Sequence, residues 1–225
     1  DFYYTALTPK ASNIAFRKNG ILFGFEQFDL KFNRPDIVLA RIGHADTTLV
    51  RAYRQAYLKR LKKMGFSENM LSDEFHLPEI NIRNFEHLPA QTDSASVGLD
   101  LELNDSRFEL DRVNVWVNDV AVYGTKGISL RDRHIKNHRM KVHINLSKGL
   151  NHIKVSVLNQ AGAESYKSSA SVTRRSGKEK PDLYLITLGG GTFLDQRYNL
   201  NYAAKDARDV AALFSTCLLY TSPSP

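Results

Sequence analysis

Between residues 77 and 172 apolar side chains recur at every second position, and that period strongly limits how the chain can bury them. Residues 97–103 read VGLDLEL, residues 113–117 VNVWV, residues 142–146 VHINL and residues 152–159 HIKVSVLN, with a last segment at 168–173. Successive side chains of a strand point to opposite faces, so each segment presents one apolar and one polar face. Turn formers separate them: Asn104-Asp105, Asn118-Asp119, Gly124 to Gly127, Lys148-Gly149 and Gly162. Short alternating strands with regular turns predict an antiparallel β-sandwich over residues 77–173. Trp116, the single tryptophan, is expected to anchor its core.

The residues before the sandwich carry other signals. β-forming residues occur at 2–7, 13–17 and 21–25, with Lys18-Asn19-Gly20 as a tight hairpin turn, because Asn-Gly supplies the positive φ angles of a two-residue loop. These strands, at 1–28, are expected to need apolar partners from outside the chain. Residues 29–76 read as a helical connector. Pro35 can open a short helix over 36–42. A longer one is predicted from Asp46 to Met64, capped by Asp46 or Thr47 and ended by Gly65. Its apolar positions Leu49, Tyr53, Tyr57, Leu61 and Met64 recur at three- and four-residue intervals and are expected to face the core.

Residues 174–181, with RRSGKE at 174–179, form a charged linker, and Pro181 marks entry to a further domain. Residues 183–188 are apolar and predict a strand, broken by Gly189-Gly190-Gly191. A polar loop then leads to a helix that contains Asp206-Ala207. A dinucleotide loop needs its glycines to open directly into the helix, whereas here about ten residues intervene. A Walker loop needs Gly-Lys-Ser/Thr, which is absent. Nucleotide binding at Gly189 to Gly191 is therefore the less favoured reading, and the glycines are expected to be structural.

Taken together, residues 183–214 resemble the opening of the caspase-like cysteine peptidases in their bacterial and metacaspase-like branch. The apolar strand LYLITLG is followed by a loop with an aromatic, Phe193 or Tyr198. The pattern L-x-Y-A-x-x-D-A then spans Leu200, Tyr202, Ala203, Asp206 and Ala207. The sandwich segment resembles immunoglobulin-like modules of bacterial multidomain proteins, without the disulfide of antibody domains. Residues 25–43, FEQFDLKFNRPDIVLARIG, resemble the stretch after the last blade of a WD40 propeller in propeller–caspase fusions.

The resemblance implies a mixed multidomain chain. Residues 1–28 end a β-propeller, 29–76 connect, and 77–173 form the immunoglobulin-like sandwich. After the linker, 182–214 begin an α/β caspase-like domain with its first β-α unit. Residues 215–225, which include CLLYTSPSP, resemble translated adapter sequence and read as a non-native tail whose two prolines are expected to stop the helix around 210–214.

The activity implied is that of a cysteine endopeptidase, with a histidine base and a cysteine nucleophile in later strands, since the thiolate is the attacking species. Those two residues are expected beyond residue 225, so no catalytic, cofactor or metal residue is assigned and the chain itself is expected to be inactive. The alternative is a non-catalytic interaction scaffold with a pseudoenzyme domain. Cys217, the sole cysteine, follows the first helix and no histidine follows His152, so it is not the nucleophile. Arg197 and Asp206 receive no chemical role, Asp206 being expected to cap or brace its helix.

His134 and His138 lie in the basic stretch RDRHIKNHRMK, with His143 and His152 further on, and lack the cysteine or carboxylate company of a zinc site. The net charge is +7, but the basic residues are dispersed, which argues for solvated faces and against nucleic acid. Protein or peptide partners are expected. No apolar stretch reaches the length that crosses a bilayer. A single cysteine suits a reducing compartment, so a cytoplasmic location is expected.

Overall fold

In the computed structural model, which describes residues 3–5, 15–43, 46–175 and 184–219, the chain divides into two units, Asp1–Gly177 and Lys178–Pro225. Helices and several β-sheets are mixed along it. The expected linker at 176–181, the first residues of the apolar run at 182–183, and the tail at 220–225 lie outside the described residues.

Strands β1 (Ala15–Lys18) and β2 (Ile21–Gly24) form the expected hairpin. Asn19 and Gly20 both have positive φ, 51° and 83°, as a two-residue turn of this hand requires. Of the expected first strand, residues 3–5 are described, and Tyr4 makes a single parallel bridge to Asn33. The apolar face of the hairpin does not wait for partners from outside the chain. Phe16 and Phe23 are paired across the strands and pack against Phe28 and Phe75 at ring separations of 5.3–6.1 Å, and Phe32 stacks on Phe75 at 5.6 Å. The partner rings come from the chain directly after the hairpin and from a loop before the sandwich.

A 3₁₀ turn (Phe25–Phe28) leads into α1 (Asp29–Phe32) and α2 (Pro35–Ile42), and Gly43 ends α2 in the left-handed conformation. Helix α3 (Thr47–Lys63) is capped by Asp46, whose Oδ1 accepts from the Thr48 amide at 3.1 Å. Its apolar stripe is only half used. Tyr57 and Leu61 are buried, but Leu49 and Tyr53 are 46% and 40% exposed, against expectation. The cluster that receives the helix, Leu30, Phe66 and Leu158, meets only its second half.

Nine further strands follow: β3 (Glu79–Ile82), β4 (Gln91–Thr92), β5 (Ser96–Asn104), β6 (Leu110–Val117), β7 (Val120–Ala121), β8 (Ile128–Ser129), β9 (Asn137–Asn145), β10 (Gly149–Asn159) and β11 (Ser168–Arg174). One sheet runs β3-β5-β9; the other runs β4-β11-β10-β6-β7, with β8 also on β6. Their inner faces share one core, which includes Leu99, Val113, Ile144, Ile153, Val155, Val157 and Val172, all fully buried. Burial of each such side chain contributes about 1.5–3 kcal/mol, so this layer dominates the unit's stability.

Two expectations need correction. The pairing is not wholly antiparallel, because β4 runs parallel to β11. Trp116 is not in the core. On β6 the inward positions are Val113, Val115 and Val117, so strict alternation puts Trp116 on the outer face, where the Lys167 ammonium lies 5.3 Å from its ring.

The outer face of the larger sheet is where the helices attach. Leu158 lies one position off the inward register of β10 and packs with Leu30, Tyr57, Leu61 and Phe66. A polar clamp reinforces the contact. Asp111, buried on β6, pairs with Arg112 and Arg131, and these donate onward to the Met64 and Gly65 carbonyls just past α3.

The second unit has no strand among its described residues. Tyr184, Ile186 and Leu188 are 87%, 83% and 91% exposed, contrary to the predicted strand. A strand needs a neighbour to satisfy its amides, and the described part of this unit supplies none. Helix α4 (Ala203–Leu219) forms as expected but continues past Phe214 through Cys217. A proline disturbs the carbonyl four residues before it, so Pro223 sets no limit short of Leu219.

Candidate functional site

The glycines and α4 can be placed first. None of Gly189, Gly190 and Gly191 takes the left-handed φ that other glycines of the chain adopt. A Cβ at Gly189 would collide with the backbone of Ala203 and Ala204, and the Leu200 amide donates to the Gly191 carbonyl at 3.0 Å. The missing side chain thus admits the first turn of α4. Phe193 N bonds the Asn199 Oδ1 at 2.8 Å, which closes the loop. Arg197 is held by Asp195 at 2.7 Å, two residues away, and both are solvent-facing. Asp206 lies in the first turn of α4, where the helix dipole favours a carboxylate.

The four histidines do not converge. His134 Nδ1 meets Glu109 at 3.0 Å, His138 Nε2 meets Arg133 at 3.0 Å, and His152 Nδ1 meets the Ser171 hydroxyl at 3.1 Å. Burial and then the Arg133 charge lower the His138 pKa. His143 lies on β9. Among the described residues no three histidine, cysteine or acidic side chains are grouped as metal ligands would be.

Sequence reasoning passed over His76. Its Nε2 lies 2.8 Å from Oδ1 of Asp105, whose side chain is fully buried. Asp105 also accepts from the Arg107 and Phe108 amides at 2.8 Å and from the Asn159 side chain at 2.9 Å. The Asn104-Asp105 signal was legible only as a turn. Its Oδ1 does make that turn and also meets the imidazole, while Oδ2 accepts from Asn159.

His76 borders a cleft of about 350 Å³ between the hairpin and residues 73–76, lined also by Lys18, Phe23, Phe75 and Arg107. Lys18 sits over the Phe75 ring at 3.8 Å, and Arg107 pairs with Glu74. An imidazole oriented by a buried carboxylate can accept a proton. Among the described residues no serine, threonine or cysteine lines the cleft. It has the parts of a binding surface: donors, acceptors and an aromatic floor. No helix among the described residues is long and apolar enough to cross a membrane.

No family model matches the chain, and no curated protein matches it. Among solved structures it is similar to the fibronectin(III)-like modules of Clostridium thermocellum CbhA, at 11% identity and a TM-score of 0.34, over 50% of this chain and 54% of that one. The endo-beta-1,4-mannanase of Thermotoga petrophila gives 10% and 0.30, over 58% of this chain and 24% of the other. The SrpA adhesin of Streptococcus sanguinis gives 11% and 0.32, over 61% and 80%. The chain thus spans about half of the first of these and a quarter of the second. TM-scores of this size assign neither a family nor an activity.

Proposed function

We propose that residues 182–214 open a caspase-like cysteine endopeptidase domain, and that residues 1–177 serve it as a non-catalytic recognition unit. In this reading the sandwich is immunoglobulin-like, the hairpin ends a WD40-type propeller, and the partners are proteins or peptides in the cytoplasm. The observation that supports it is the start of α4. The helix opens at Ala203, within the L-x-Y-A-x-x-D-A pattern, with Asp206 in its first turn and Gly189 packed on Ala203. In such a domain the histidine base and cysteine nucleophile belong to later strands, and this reading assigns no catalytic residue within residues 182–214.

The test extends the reading frame by roughly two hundred residues, a domain's worth. The longer protein should cleave fluorogenic peptides and lose that activity to a thiol alkylator, while the present chain stays inert. A continuing frame without a histidine and a cysteine at strand ends would remove the peptidase reading. It would leave the second one, an interaction scaffold, which the cleft beside His76 independently favours.

A further inference from the structure

The cleft where α3 meets the larger sheet carries more positive charge than the fold requires. It measures about 370 Å³ and is lined by Lys62, Lys63, Lys126, Arg112, Arg131 and one carboxylate, Asp111. Cations near a helix C-terminus ordinarily serve its unpaired carbonyls and dipole. Here that task is already done. Arg112 donates to the Met64 carbonyl and Arg131 to the Gly65 carbonyl, while the Phe66 amide closes back on Leu61 at 2.9 Å. Asp111 is equally committed, with one oxygen to each arginine.

The three lysines are therefore surplus. All are exposed, and none has a carboxylate partner among the described residues. They come from two distant stretches of chain, the end of α3 and the 3₁₀ turn Gly124–Lys126, brought to one cleft by the fold. Arg131 also keeps a nitrogen, Nη2, that is buried and has no hydrogen-bond partner. Like charges gathered in a concave wall repel one another and raise the local concentration of counter-ions.

We propose that this cleft binds a compact, multiply charged phosphate ligand, a polyphosphate or a polyphosphorylated headgroup, between Lys62, Lys63 and Lys126. The arginines form its fixed floor and the lysines its ligand-facing rim. An ammonium binds phosphate as a movable point charge, and the two guanidiniums are held in place by the clamp.

Calorimetric titration of the full chain with inorganic pyrophosphate and tripolyphosphate, at 0.15 M salt, tests this. Saturable one-to-one binding is expected, tighter for the longer anion. The triple variant Lys62→Ala, Lys63→Ala, Lys126→Ala should weaken it at least about fivefold, as the loss of three exposed charge contacts implies. Its unliganded melting temperature checks that the fold persists, since all three side chains are exposed. A flotation arm, with vesicles carrying a bisphosphorylated inositol lipid, separates the sources. Binding competed by pyrophosphate assigns the lipid headgroup, and soluble binding alone assigns the free anion. Absence of saturable binding, equal binding by the triple variant, or an equal response to sulfate at matched ionic strength would each overturn the proposal.

Discussion

At the scale of single residues, two carboxylates that burial pushes the same way differ in their response to pH because one has a guanidinium partner. Glu164 is half-buried beneath the sandwich's outer face, and desolvation raises its pKa, only partly offset by the Ser156 hydroxyl and the Asn114 amide. The fold thus favours its neutral form. The stability this confers is full below the ordinary carboxylate range and is lost as pH climbs through the raised value. Glu164→Gln should therefore raise the urea midpoint at pH 7.5 and leave it nearly unchanged at pH 4; a lower midpoint at pH 7.5 would refute this. For Asp36, burial alone would raise the pKa, but the Arg34 guanidinium, at 2.7 and 2.9 Å, overcomes it and holds the carboxyl low. Its contribution is present above the ordinary carboxylate range and fades as pH falls. With its side chain 1% exposed between two guanidiniums, Asp111→Ala should cost about 3–5 kcal/mol in denaturant titration, because it leaves Arg112 buried without its counter-charge.

At the scale of elements, what could be read in advance was whatever depended on neighbours close in sequence. The Asn19-Gly20 turn, the Asp46 cap and the alternation of residues 97–103 each rest on local rules, and each stands as expected. The failures depend on what lies across the fold. Trp116 has the composition of a core residue, but the register of β6 turns it outward. The apolar run at 184–188 has a strand's residues without a second strand beside it among the described residues. Strands β4, β7 and β8, of two residues each, are too short to show a period. The His76–Asp105 pair joins positions 29 residues apart, which no local pattern announces. Helix α3 gives a direct check. Tyr57→Ala should cost about 3 kcal/mol in thermal or urea unfolding, as for a buried ring, and Tyr53→Ala under about 0.5 kcal/mol. Equal costs would mean that the whole stripe is buried after all.

At the scale of the molecule, residues 77–173 do not stand apart from what precedes them. The hairpin's rings share a cluster with Ala163, α3 closes over Leu158, and the Asp111 clamp ties the end of that helix to β6 and the loop after β8. A unit built this way would hold its His76 cleft and its lysine-rimmed cleft in fixed relation, since both lie where helical or hairpin segments meet the sandwich. Leu99→Ala, deep between the sheets, should accordingly lower the stability of α3 as well as of the strands, by about 2–5 kcal/mol. The most direct measurement is native-state hydrogen exchange along a denaturant series, comparing the α3 amides with those of β5 and β10. One cooperative unit predicts that their slowest-exchanging amides converge on a single opening free energy and denaturant slope. Loss of protection in α3 at lower denaturant, with β5 and β10 intact, would contradict it.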